Sequence, residues 1–160
     1  MRLGIAVDLA DQDPERIVDA AIPWATQTRP GPAGTPGSRG TLDVLYVVRP
    51  PIDPHPIGFG SAATPQIKRL MEAEVEQQRR IEAARLTELV ERVPEPHRGV
   101  ARLLVGAPVT ALVDAGDGYD ALMVATHGRH GLAHFWLGSI AEQVVRHARC
   151  TVVVIRLPAV

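Results

Sequence analysis

The chain opens on an uninterrupted apolar run, Leu3 to Val7, the pattern of a strand covered on both faces inside a parallel sheet. Similar runs recur at Leu42–Val48, Val100–Val105, Ala121–Ala125 and Thr151–Leu157, which predicts five strands. Between them the apolar spacing changes to three and four. Asp13 followed by Pro14 reads as an N-cap with proline at the first helical position. The helix it starts should bury Ile17, Val18, Ala21 and Trp24, and Pro23 should bend or end it. A long helix is predicted from Thr64-Pro65 to about Val93, with a stripe of Ile67, Leu70, Met71 and Val75 continued by Ile81, Leu86, Leu89, Val90 and Val93. Its polar middle, Glu76 to Arg80, should face solvent, and its charges read as a solvated face. Shorter helices are predicted over Pro108–Ala115 and Ser139–Ala148. Two Pro/Gly-rich loops, residues 28–40 and 50–63, interrupt the pattern.

Strands alternating with helices predict an α/β fold: an open, doubly wound, five-stranded parallel sheet with helices on both faces. No internal repeat is visible, so residues 1–160 read as one domain. Composition adds little to this picture. Apolar residues make up 46% of the chain but aromatics only 4%, so the core must be aliphatic. With a net charge of −1 and no basic stripe, nothing points to nucleic acid or an anionic membrane. The apolar runs fall short of the ~20 residues of a membrane span. Cys150 stands alone, so no internal disulfide is expected, and strand residues beginning almost at Met1 leave no room for a signal peptide. A cytoplasmic protein is the expectation.

The chemistry concentrates after the fourth strand. Val124-Ala125-Thr126-His127-Gly128 turns out of the strand, and Gly138-Ser139 then heads the helical pattern Ile140-Ala141-Glu142-Gln143-Val144. Unpaired N–H groups at a helix N-terminus, with the positive end of its dipole, form a site for phosphate. Glycine lets backbone approach the anion, and the Ser139 hydroxyl adds a donor. Arg129, beside Gly128, is placed either to fold onto a terminal phosphate or to remain a solvated loop residue. At the other candidate point, Asp8 ends the first strand, where it would accept from ribose hydroxyls, hold magnesium near phosphate, or serve as a turn aspartate.

This arrangement resembles the universal stress protein family, whose nucleotide-binding members carry Gly-x2-Gly-x9-Gly-Ser/Thr here. The chain reads Ala125-x2-Gly128-x9-Gly138-Ser139, with alanine in the first place. Ile5-Ala6-Val7-Asp8, Tyr119 to Val124 and Cys150 to Ile155 are also similar to the family. The resemblance implies strand order 3-2-1-4-5 and an adenine nucleotide, ATP with or without magnesium. It implies contacts from Ala6, Val7, Asp8, Val47, Val124, Ala125, Gly128, Arg129, Gly138, Ser139 and Ile140, with the base between the backbone near Ala6 and the apolar residue Val47. The same order puts the last strand at a sheet edge, where an apolar strand needs a partner, and the expectation is a homodimer through Val152–Ile155.

Other candidates read more plainly. His127, His130 and His134 lie in a glycine-containing loop without a neighbouring Cys or carboxylate and read as solvent-facing histidines, not metal ligands. Cys150 reads as a small buried hydrophobe, and Phe135 and Trp136 as a plug or dimer contact. No nucleophile elbow or Walker lysine pattern is present, and the chain's one lysine is Lys68 in the long helix. The expected function is therefore a regulatory nucleotide-binding module, not an enzyme. Two rivals stand beside it: a dimeric scaffold that binds no nucleotide, and a slow ATP hydrolase.

Overall fold

The computed structural model describes residues 1–10, 13–27, 40–49, 65–127 and 138–157. In chain order the elements are β1 (Arg2–Ala6), α1 (Pro14–Thr26), β2 (Thr41–Val48), α2 (Pro65–Glu91), a 3-10 turn (Glu95–His97), β3 (Arg98–Val105), α3 (Pro108–Gly116), β4 (Ala121–His127), α4 (Ser139–His147) and β5 (Thr151–Leu157). The strands form one parallel sheet in the order β3-β2-β1-β4-β5, the predicted topology. The chain reverses direction of travel across the sheet between β1 and β4, which pair from Leu3↔Ala121 to Ala6↔Val124.

Alternation along each strand divides the core in two. Leu3, Ile5, Leu42, Val44 and Met123 pack with Ile17, Val18 and Ala21 of α1 and Leu86, Leu89 and Val90 of α2. Leu45, Leu122 and Val124 point the other way, onto Leu112 of α3 and Ala141 and Val144 of α4. Helix α1 starts as predicted: the Asp13 side chain accepts from the Arg16 N–H at 3.3 Å, and proline follows the cap. Pro23 does not end it. The helix runs on to Thr26, and the Pro23 carbonyl accepts from the Gln27 N–H at 3.0 Å. Trp24, expected in the core, is 49% exposed, because the covered stripe continues through Ala21 and Ala25 instead.

Helix α2 departs most from the expected pattern. Its 27 residues extend about 40 Å at 1.5 Å each, against about 26 Å for an eight-residue strand. Only its last turns lie on the sheet. Leu86, Leu89, Val90 and Val93 are buried, whereas Leu70 is 71% exposed and Ile81 55% exposed. Met71 is exposed as well. Among the described residues of the predicted stripe, the fully buried ones begin at Leu86; before it, the helix overhangs the carboxyl ends of the strands. Nor are its charges all solvated. Arg79 and Glu82 are half-buried, and Arg85 donates to the Leu9 carbonyl at 2.9 Å; just past the helix, Arg92 makes a two-pronged surface pair with Asp19 of α1.

At the amino ends of the strands a polar cluster closes the sheet. Asp43, in the apolar run of β2, is 2% exposed. Its Oδ2 accepts from Arg2 Nη2 at 2.7 Å and from the Tyr119 hydroxyl at 2.9 Å. Its Oδ1 accepts from the Val100 N–H at 3.0 Å, replacing a backbone partner where the β2–β3 register shifts. Glycine is required at 99, since a Cβ there would overlap Asp43 Oδ1 and come within 2.6 Å of the Leu42 carbonyl oxygen. Arg102 donates to the Tyr119 hydroxyl at 3.1 Å, and the Arg2 guanidinium lies 5.0 Å from the centre of that ring. Both oxygens of Asp43 and the Tyr119 hydroxyl are engaged.

Candidate functional site

The opposite, carboxyl edge is open. In open parallel sheets ligands bind beyond the carboxyl ends of the strands, where the order reverses. Here the ends of β1 and β2 floor a cleft of about 400 Å³, lined by Ala6, Val7 and Asp8 and by Leu45 to Arg49. Pro108 and Leu112 of α3 wall one side, and Glu82 of the overhanging α2 joins the lining. Four of the residues expected from sequence, Ala6, Val7, Asp8 and Val47, are thus brought together.

Local geometry explains the shape. The Val7 N–H donates to the Leu45 carbonyl at 2.9 Å, so the chain leaves the sheet only at Asp8. Asp8 is exposed and its Oδ1 accepts from the Ala10 N–H at 2.9 Å, the turn role weighed for it from sequence. That bond fixes the carboxylate and leaves Oδ2 available. On the α3 side, Gly106 adopts φ +146°, a conformation other residues resist, and its N–H donates to the Val48 carbonyl at 3.0 Å. This turn swings Pro108 over the cleft.

Along the same edge, α4 begins. Gly138 is its N-cap with φ −55° and ψ 145°, and Ser139 is the first helical residue, not the cap. No side chain caps the helix, and its first intrahelical bond runs from the Glu142 N–H to the Gly138 carbonyl at 2.8 Å. Among the described residues, the N–H groups of Ser139, Ile140 and Ala141 have no acceptor. Ser139 and Ile140 are exposed, and a Cβ on Gly138 would meet no atom within 4 Å. Beside this end, Val124 is buried in the core under α4, and Ala125 is held in the β4–β5 ladder opposite Ile155. Extended strand backbone suits alanine, so the departure from glycine at 125 costs no strain. Gly128 and Arg129, with His130, His134, Phe135 and Trp136, lie outside the described residues. His127 ends β4. Cys150 is half-buried, at the α4–β5 junction.

The sequence reading did not single out Tyr46, Arg49, Glu82, Pro108 or Leu112. Tyr46 precedes Val47 on β2 and Arg49 comes just after the strand's last residue, so both follow once that strand end is taken as the floor. Glu82 had no local signal, being one of many charges on a long helix. Burial raises the Tyr46 phenol pKa, and the nearby Glu82 and Asp8 carboxylates raise it further. Two carboxylates thus converge on this part of the cleft, which suits hydrogen-bond donors and cations, while the open N–H groups of α4 suit an anion. Among the described residues no group of three His, Cys, Asp or Glu is placed to hold a metal, and no helix is long and apolar enough to cross a membrane.

Known proteins match this architecture. The chain is 34% identical over 58 residues to universal stress protein MJ0531 of Methanocaldococcus jannaschii, a match spanning 35% of this chain and 34% of that relative. In fold, it resembles a universal stress protein family protein of Arabidopsis thaliana with AMP bound: TM-score 0.58, 18% identity, 99% of this chain and 93% of the other. A universal stress protein in complex with cAMP aligns at TM-score 0.51 and 24% identity, over 97% and 95% of the two chains. A sequence profile of the universal stress protein family matches residues 2–156, and with that span covered the chain belongs to this family.

Proposed function

We propose that the protein is an adenine-nucleotide-binding regulatory module whose ligand is ATP. One observation carries the reading: a single sheet edge bears both a cleft at the ends of β1 and β2 and the uncapped N-terminus of α4. The first suits a nucleoside and the second its phosphates. Fold relatives crystallised with AMP and with cAMP support the choice of an adenine nucleotide. Asp8 Oδ2 is the position for a ribose hydroxyl or for magnesium, which commonly takes one carboxylate and completes its shell with phosphates and water.

The reading assigns no turnover. Hydrolysis needs a group that orients water and one that stabilises charge developing on the γ-phosphate. The described part of the phosphate site offers N–H donors and the Ser139 hydroxyl, which would hold ground state and transition state alike and so lower no barrier. Assembly is proposed through β5, an edge strand on which Val154 is exposed, paired antiparallel with a second copy over Val152–Ile155. Sedimentation at micromolar concentration should give twice 17.2 kDa, and a monomer would count against it.

Calorimetric titration with Mg-ATP tests the central reading. Micromolar-range binding is expected, with a rise in melting temperature that follows from mass action. Gly138→Val should abolish both by placing a branched side chain where phosphate approaches. That variant is clean, because the backbone at 138 suits any residue and no atom of the described residues lies within 4 Å of where its Cβ would be. Absence of heat and of any melting shift up to millimolar Mg-ATP would remove the proposal.

A further inference from the structure

One peptide unit beside the cleft is held at both of its polar ends. The Ala10 N–H donates to Asp8 Oδ1 at 2.9 Å, and the carbonyl of the same peptide, that of Leu9, accepts from Arg85 Nη1 at 2.9 Å. Arg85 comes from α2, about one helical turn after Glu82 of the cleft lining. The Leu9 side chain is buried in the core, which anchors the residue but not the rotation of the peptide that follows it. A planar peptide turns as a unit about its two flanking single bonds. Turned over, this one would aim its carbonyl oxygen at the Asp8 carboxylate and its N–H away from it.

Arg85 opposes that rotation. A guanidinium only donates, so it holds a carbonyl and would lose its bond if an N–H took that place. The peptide N–H is thereby kept on Asp8 Oδ1, and Oδ2 is left over from the turn. Positive charge on the carbonyl side also polarises the peptide and strengthens its N–H as a donor, since linked hydrogen bonds reinforce one another. Arg85 itself is exposed and stands outside the cleft lining, whereas Asp8 is part of it. We propose that Arg85 is a positioning residue for the nucleotide site: through the Leu9–Ala10 peptide it sets the orientation in which Asp8 meets a ribose hydroxyl or magnesium. This rests on the reading that Asp8 contacts a bound adenine nucleotide.

The test is a double-mutant cycle on the full chain, pairing Arg85→Met, which keeps the apolar stem and removes the donor, with Asp8→Ala. Calorimetry with Mg-ATP should show Arg85→Met binding about tenfold more weakly than wild type, the lower end of what losing an outer-shell partner costs a bound cation. Made in the Asp8→Ala background, the same substitution should cost less than about twofold more, because the residue it acts through is gone. A second readout needs no ligand. Exchange of the Ala10 amide, followed by NMR, should quicken about tenfold in Arg85→Met, with the Val7 amide, bonded to the Leu45 carbonyl, unchanged. Circular dichroism verifies folding, and Arg85→Ala carries the same expectations should Arg85→Met not fold. Equal losses from the Arg85 substitution with and without Asp8 overturn the inference, since Arg85 then acts by another route. So does wild-type affinity in either single variant, or a loss of affinity with Ala10 exchange unaltered. Each of these leaves nucleotide binding standing. Failure of wild type to bind Mg-ATP removes the underlying reading and the inference with it.

Discussion

The two ends of the sheet are built to opposite rules. At the amino end, Asp43 is buried, and both its oxygens are engaged by Arg2, Tyr119 and the Val100 N–H. At the carboxyl end, Asp8 is exposed with one oxygen left over from its turn, and α4 begins without a side-chain cap. A buried polar network whose members are all satisfied ties strands together; one left incomplete adds nothing to stability on its own. The difference separates the residues that hold this protein together from those that receive a ligand.

Breaking the closed end should give the largest effect. Asp43→Ala strands the Tyr119 hydroxyl and the Val100 N–H, and should cost about 1–3 kcal/mol in chemical unfolding for each group left unsatisfied, while Arg2, half exposed, turns to solvent. The affinity of the remaining folded protein for Mg-ATP should be unchanged. A large affinity loss in folded Asp43→Ala would mean that the two ends are coupled. The reverse experiment is Asp8→Ala at the open end. It should weaken Mg-ATP binding by about 1.5–3 kcal/mol, as for other hydrogen bonds to charged groups, and leave unfolding almost unaffected. Equal losses of stability from both variants would erase the distinction.

The two tyrosines provide a smaller and finer probe, one at each end. Burial raises both phenol pKa values; at Tyr46 the Glu82 and Asp8 carboxylates add to this, while at Tyr119 the Arg102 hydrogen bond opposes it and Asp43 reinforces it. A pKa raised in the folded state means stability that is complete below the unfolded value of about 10 and is lost as pH climbs through the folded value. Ultraviolet titration should therefore find both phenols ionising above pH 10 in the native protein and near 10 in denaturant. Mg-ATP should move one transition, that of Tyr46. Movement of both, or of Tyr119 alone, would place the ligand elsewhere.

Much of this was legible in the sequence, and the exceptions have physical reasons. Apolar runs and caps located all five strands and the four α-helices but not the 3-10 turn at Glu95–His97, with ends differing by one or two residues where β1 and β3 begin on arginine and where β4 runs on to His127. Resemblance supplied the strand order, and with it the meeting of Ala6, Val7, Asp8 and Val47. Periodicity misled at Leu70, Met71 and Ile81, because a helical stripe shows which residues share a face but not how far the sheet extends beneath it. Asp43 and Glu82 were overlooked for a related reason. A single charged residue inside a strand or on a charged helix looks the same in sequence whether it is solvated, paired in the core or set against a cleft.

The central claim, that ligand binding belongs to the carboxyl edge, is tested most directly by following backbone amide resonances of isotope-labelled protein during titration with Mg-ATP. The account predicts saturable shifts at Val7, Asp8, Tyr46 to Arg49, Ser139 and Ile140, with Asp43, Val100 and Asp120 unmoved. Shifts centred on the Asp43 end, or none at millimolar nucleotide, would contradict it.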